Sequence, residues 1–265
     1  MTRLALLVGE GDIAASALNA VRNNRAYDPI ILSMQDVAGA FDGQVDVGDP
    51  NTLIEQLRAL RVDAVCAVGY VDLDAPRRAA IAQFVVSHSG GKIDPSDMGI
   101  ELAYQLIAKE ARAEILGVHQ VCPEMIAGTG VLAGQQPDIT ASQLDHIVRS
   151  ARAVARTDLG QSMVFDGERP IAAEDVLGTD SLIERAGEIA LRHNLSSDRL
   201  MLVKVTKPQQ SGIADLPSIG PKTIENCAEA GVRTIVVEGD KCLVASRQKT
   251  LDVAEEQGIS VFGWG

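Results

Sequence analysis

Leu4-Ala5-Leu6-Leu7-Val8 runs directly into Gly9-Glu10-Gly11-Asp12-Ile13-Ala14. A short run of aliphatic side chains with no polar alternation reads as a strand covered on both faces. The glycines that follow read as the turn into a helix. The same alternation recurs through the first half of the chain. Strands are expected at 4–8, 30–32, 64–68 and 115–118, and helices at 13–22, 53–60, 77–86 and 100–111, where apolar residues recur at three- and four-residue spacing. Strand, helix and strand in repetition imply a Rossmann-like parallel sheet with helices on its faces.

The second half differs in kind. Met163-Val164-Phe165, a polar turn and Pro170-Ile171-Ala172-Ala173 read as a hairpin. Further strands are expected at 200–205, 234–237, 242–245 and 260–262, with helices at 181–192, 222–230 and 247–257. Gly128-Thr129-Gly130 and Gly134-Gln135-Gln136-Pro137-Asp138 are poor in core-forming residues and read as a linker before a helix that ends near Arg156. The expected organisation is therefore α/β with two domains. A Rossmann-like N-terminal domain spans 1–133, and a mixed α/β domain carrying the main motifs spans 134–265.

A chain of 265 residues has length enough for two such domains. Its net charge of −12 excludes duplex nucleic acid as a partner, and 3% aromatic residues argue against base-stacking platforms. A small anionic ligand stays open if carboxylates recruit a divalent metal. No apolar run approaches the roughly 20 residues that span a bilayer. The apolar start breaks at Glu10 and Asp12 and reads as a strand, not a signal peptide. Cys66, Cys122, Cys227 and Cys242 share no close spacing and read as buried free thiols, which suits the cytoplasm.

Several stretches could carry chemistry. Gly9-Glu10-Gly11-Asp12-Ile13-Ala14 fits the dinucleotide turn G-x-G-x-x-G/A, with Gly9 and Gly11 letting backbone approach a phosphate. No acidic residue closes the second strand, which weighs against a nicotinamide oxidoreductase. Gly178-Thr179-Asp180 places either a helix N-cap or an aspartate open to a metal or a ligand hydroxyl. Lys204 and Lys207 stand at the carboxyl end of a strand, the edge where open α/β sheets bind ligands, or are simply solvated there. Asp215-Leu216-Pro217-Ser218-Ile219-Gly220-Pro221 is a rigid loop that could aim Asp215, although an ordinary loop into a helix reads equally well. None of His88, His119, His146 and His193 pairs with a Ser or Cys motif, and no His/Cys cluster suggests zinc.

Taken in order, these stretches resemble the LpxI family of UDP-2,3-diacylglucosamine pyrophosphatases. The resemblance is carried by Asp158-Leu159-Gly160-Gln161, Ile171-Ala172-Ala173-Glu174 and Gly178-Thr179-Asp180-Ser181-Leu182. Lys204, Lys207-Pro208 with Gln210, Asp215-Leu216-Pro217-Ser218-Ile219-Gly220 and Val261-Phe262-Gly263 continue it. It implies hydrolysis of UDP-2,3-diacylglucosamine to UMP and 2,3-diacylglucosamine 1-phosphate in lipid A biosynthesis, with Mg²⁺ or a similar divalent cation. It also implies a substrate bound between two α/β domains. Asp215 is then the catalytic residue, Asp180 and Asp215 hold the metal, and Gly9, Gly11, Gln161, Thr179, Lys204, Lys207 and Gln210 bind substrate.

The implied partner is a UDP-linked acylated sugar, with peripheral contact at the inner membrane following from its lipid chains. A homo-oligomer is the generic expectation. The chain departs from the family pattern at Glu10 in the glycine loop, at Tyr70-Val71-Asp72-Leu73-Asp74, at Leu177 and at Ile213. Those departures carry the other reading, a relative that binds a nucleotide or lipid without turning it over.

Overall fold

A computed structural model of the chain describes residues 1–35, 39–90, 97–207 and 216–265. The fold divides after Pro123 into two compact units, Met1–Pro123 and Glu124–Gly265. Sequence reading put the boundary after residue 133. The difference arises because Gly130–Ala133, within the expected linker, is a strand of the second unit, paired antiparallel with the C-terminal strand.

In the first unit the elements follow in order as β1 (Thr2–Val8), α1 (Asp12–Asn23), β2 (Tyr27–Ser33), β3 (Gly43–Gln44) and α2 (Pro50–Leu60). They continue with β4 (Ala64–Val68), α3 (Ala75–Ser89), α4 (Asp97–Ala111), β5 (Glu114–Ile115) and α5 (Val118–Val121). The strands form one parallel sheet in the order β3-β2-β1-β4-β5, as a Rossmann-like reading requires. Ala5 and Leu7 share a core with Leu53, Leu57, Phe84 and Ile107 of α2, α3 and α4, while α1 and α5 pack on the sheet as neighbours of each other. Both faces are therefore covered, which is why 4–8 carry no polar alternation. The strand expected at 115–118 ends at Ile115. Gln120 accepts the Gly117 N–H at 2.8 Å and starts the α5 turn there instead.

The second unit contains β6 (Gly130–Ala133), α6 (Ala141–Ala155), β7 (Ser162–Asp166), β8 (Arg169–Ala173), α7 (Gly178–His193) and β9 (Leu200–Lys204). It continues with β10 (Ser218–Ile219), α8 (Pro221–Glu229), β11 (Thr234–Glu238), β12 (Leu243–Val244), α9 (Arg247–Glu256) and β13 (Ser260–Trp264). Its main sheet is mixed, ordered β6-β13-β11-β9-β7-β8, with β9, β11 and β13 parallel. Side chains alternate cleanly across it. Leu200, Leu202, Ile235 and Val261 pack beneath α7, α8 and α9, whereas Met201, Val203, Phe165 and Val236 pack against Ile147 and Val148 of α6.

The strand expected at 242–245 shrinks to β12, which leaves the main sheet and pairs with β10. All four cysteines are buried and none is in a disulfide. Among the described residues, no helix is long and apolar enough to cross a membrane.

Candidate functional site

Strand direction decides where the polar residues of the second unit meet. Because β7 runs antiparallel to β9, Ser162 at its start pairs with Lys204 at the end of β9. Because β8 runs antiparallel to β7, its end falls at the same edge, and Glu174 continues that ladder by donating its N–H to the Ser162 carbonyl at 2.9 Å. The first turn of α7 then lays Thr179 over this edge.

Lys204 is only 5% exposed, yet its ammonium contacts neutral oxygens: it donates to Thr179 Oγ1 at 3.0 Å and to the Ser218 carbonyl at 2.9 Å. Among the described residues no carboxylate lies within ion-pair distance of it. An ammonium has three donors, so one N–H remains for an incoming acceptor. Cys227 and Cys242 line its surroundings. Burial pushes both thiols up to about 12, partly offset by the Lys204 charge, so they remain neutral at pH 7. A buried cation among neutral groups attracts an anion far more strongly than a solvated one does.

Lys207, 8% exposed, lies with Nζ 3.0 Å from Asp158 Oδ1 in an ion pair whose geometry falls short of a hydrogen bond. Asp158 adopts φ 62°, the left-handed region that aspartate tolerates better than most side chains. Gln161 follows it. Its carbonyl accepts the Val205 N–H at 3.0 Å, fixing the loop to the end of β9. Its side-chain Oε1 is buried with no partner among the described residues, an acceptor left for a donor from outside.

The strand-end loop that carries Lys207 is held from β11. Glu238, buried at the end of that strand, accepts the Thr206 N–H at 3.1 Å and the Thr206 hydroxyl at 2.8 Å through Oε2. Its Oε1 receives Arg152 at 2.7 Å and Lys241 at 2.8 Å. Burial raises the Glu238 carboxyl, but the hydrogen bonds from Lys241, Thr206 and Arg152 outweigh it and bring the group to about 2. The Arg152 guanidinium also lies 4.8 Å from the Trp264 ring centroid.

Of the residues expected from sequence, Gln161, Thr179, Lys204 and Lys207 come together at this edge. Thr179 and Asp180 are not helix caps. Gly178, at φ 80°, already begins α7 behind an uncapped Leu177, so both residues lie within the first turn. Asp180 is exposed and its Oδ1 accepts from the Asn226 amide at 2.9 Å. Asp215 and Gln210 lie outside the described residues. Among the described residues no three His, Cys, Asp or Glu side chains gather as a metal-holding group.

Gly9 and Gly11 belong to the first unit. Gly9 abuts the Tyr70 carbonyl so closely that any side chain there would collide with it, and Glu10 and Tyr70 exchange backbone hydrogen bonds of 2.8 and 2.9 Å. Backbone packing accounts for that glycine. Gly11, at φ 104°, has open space where a Cβ would stand, just before α1.

Sequence reading assigned no role to Glu174, Ser218, Thr206 or Glu238. A carboxylate following a hairpin strand, as Glu174 does, looks like a solvated edge residue. Only the strand order reveals what it faces.

Comparison with known proteins agrees with these motifs. Residues 128–262 match the family described as the LpxI C-terminal domain. Over 285 aligned positions the chain is 30% identical to UDP-2,3-diacylglucosamine pyrophosphatase LpxI of Caulobacter vibrioides, an alignment covering 99% of this chain and 98% of that protein. The alignment runs through both units and the family match covers the residues gathered at the second sheet's edge, and on that extent and identity the chain belongs to the LpxI family.

Proposed function

We propose that this protein hydrolyses the pyrophosphate bond of UDP-2,3-diacylglucosamine to UMP and 2,3-diacylglucosamine 1-phosphate, a step of lipid A biosynthesis. The observation that carries this reading is the buried Lys204 ammonium, which has a hydrogen-bond donor to spare at a sheet edge shared with Lys207. The activity in the name of the Caulobacter vibrioides relative supports it.

Cleaving a phosphoanhydride requires neutralisation of charge developing on phosphate oxygens, and preorganised donors supply it without reorganising during the reaction. Lys204 and Lys207 are placed to receive those oxygens, with the Thr179 hydroxyl between Lys204 and the carboxylate of Glu174. The buried Gln161 Oε1 is suited to a ligand hydroxyl or amide N–H.

Support for an acylated substrate comes from the flanks of the same residues. Leu159, Val176 and Leu177 are 50%, 91% and 69% exposed, each two or three positions from Gln161, Glu174 or Thr179. Exposed apolar side chains this near in sequence to polar site residues favour a ligand with hydrocarbon chains. We place the enzyme in the cytoplasm with this rim toward the inner membrane.

Asp215 is the proposed catalytic residue, and Asp215 with Asp180 the proposed ligands of Mg²⁺ or a similar cation. Such an ion would polarise the phosphoryl group and acidify bound water. The test is UMP release from UDP-2,3-diacylglucosamine by purified protein with Mg²⁺, with EDTA and with Asp215→Ala. UMP release abolished by EDTA and by the substitution is expected. Undiminished release from Asp215→Ala would overturn the catalytic assignment, and release that survives EDTA would overturn the metal. Absence of UMP with retained UDP binding would leave the non-catalytic reading.

A further inference from the structure

We propose that Glu174 is a positioning residue for this reaction, holding Thr179 and, through it, the Lys204 ammonium in the orientation that meets a phosphate oxygen. The inference rests on the functional reading above and deepens it. Glu174 is 9% exposed and both of its oxygens are engaged. Oε1 accepts the Thr179 hydroxyl at 2.7 Å and Oε2 accepts the Gln161 N–H at 2.8 Å. One carboxylate thus touches two candidate substrate-binding residues and reaches a third through one of them.

The direction of the hydrogen bonds makes the arrangement specific. A hydroxyl has a single proton. An ionised carboxylate can only accept, so the Thr179 proton is committed to Glu174, and the oxygen accepts from Lys204 Nζ at 3.0 Å with the Ser162 hydroxyl 3.4 Å away beside it. With Ser218 taking a second Lys204 proton, the direction of the third is set. Glu174 packs its stem against Gly160. Gly160 lies so near that a Cβ there would stand 2.5 Å from Glu174 Cβ and 2.8 Å from its Cγ.

Glu174→Gln keeps the shape but reverses this logic. A glutamine amide turned with its NH2 toward Thr179 donates to the hydroxyl oxygen, which releases the hydroxyl proton from its fixed direction and competes with the Lys204 ammonium for the oxygen's lone pairs. The lysine would still attract the substrate while losing its aim, so the loss should appear mainly in kcat.

The test measures kcat and KM for UMP release in wild type, Glu174→Gln, Thr179→Val and the double variant, each well below its own Tm. We expect kcat in Glu174→Gln to fall roughly tenfold or more with KM changed less than about threefold. The double variant should be about as slow as the slower single one, because the two residues act in series. Wild-type kcat and KM in Glu174→Gln with only Tm lowered would reduce Glu174 to a structural part and overturn the proposal. Losses that multiply in the double variant would overturn it as well.

A second arm separates this proposal from the functional reading. Lys204 in the ligand-free protein is probed with an amine-reactive reagent and quantified by mass spectrometry. Severalfold faster modification in Glu174→Gln than in wild type is expected, and equal rates would overturn the positioning role. If wild type releases no UMP, the functional reading fails, and this labelling comparison alone decides the role of Glu174.

Discussion

Asp158 faces Lys207 across 3.0 Å, so the site neutralises one of its two buried lysines with a carboxylate of its own. A phosphate arriving there competes with Asp158 for the same ammonium. Asp158→Asn removes that competitor and also removes an ion partner from a buried cation. It should raise affinity for UDP severalfold, by titration calorimetry, while costing about 1–3 kcal/mol of stability in denaturant unfolding. Unchanged UDP affinity would mean that phosphate does not reach Lys207.

Lys204 is held by a hydroxyl and a carbonyl spaced for a compact ammonium. Lys204→Ala should lower kcat/KM about 10- to 100-fold, the loss of one charged hydrogen bond to the reacting phosphate. Lys204→Arg should recover little of it, because a planar guanidinium cannot reproduce the ammonium's geometry in so closed a space. Steady-state UMP release measures both, and full activity in Lys204→Arg would contradict the geometry.

Val176 and Leu177 stand out from the loop between β8 and α7. Val176→Asp with Leu177→Asp should raise KM for the diacylated substrate several-fold while leaving UDP affinity within about twofold, since only hydrocarbon burial is lost. The same KM for acylated substrate before and after would show that the exposed pair meets no acyl chain.

Glu238 gives a pH-dependent test. Its carboxyl is depressed to about 2 in the folded protein, below its value in the unfolded chain. The stability it contributes is therefore complete above the unfolded carboxylate range near 4.3 and is lost as pH falls toward 2. Glu238→Gln should lower Tm by several degrees at pH 7, and the gap to wild type should narrow as the pH drops below about 4. Thermal unfolding followed from pH 7 to pH 3 reads this directly. A gap constant with pH would mean that the charge of Glu238 contributes nothing.

Much of the fold was legible in the sequence because it rests on local repetition. The unbroken aliphatic run at 4–8, the three- and four-residue spacing at 53–60 and the apolar Met163-Val164-Phe165 before a polar turn each specify an element without reference to distant residues. Errors fall where pairing partners decide. Gly130–Ala133 looks like linker because Gly130 and the flanking Gly128 and Gly134 are weak strand formers, and it becomes a strand only because β13 offers an edge to it. Leu243–Val244 has strand composition but pairs outside the main sheet.

Lys204, Lys207 and Thr179 could be picked out as residue types at strand and helix ends, and Gln161 came only from the family resemblance. Sequence by itself could not tell a solvated lysine from a buried one. Whether Lys204 lies in water or among neutral thiols and a hydroxyl depends on which strands flank β9, and that order is set by long-range pairing. Glu174, quoted only as part of a family motif, and Glu238 were given no role for the same reason. Their hydrogen-bond partners lie on other elements, Thr179 on α7 and Thr206 beyond β9, and only the closed sheet brings them within 3 Å or so. The sequence thus determined the elements and the chemical types at their ends. The tertiary structure decided which of those charges are dry, which are paired and which retain a hydrogen bond for a ligand, because burial and pairing are properties of neighbours in space.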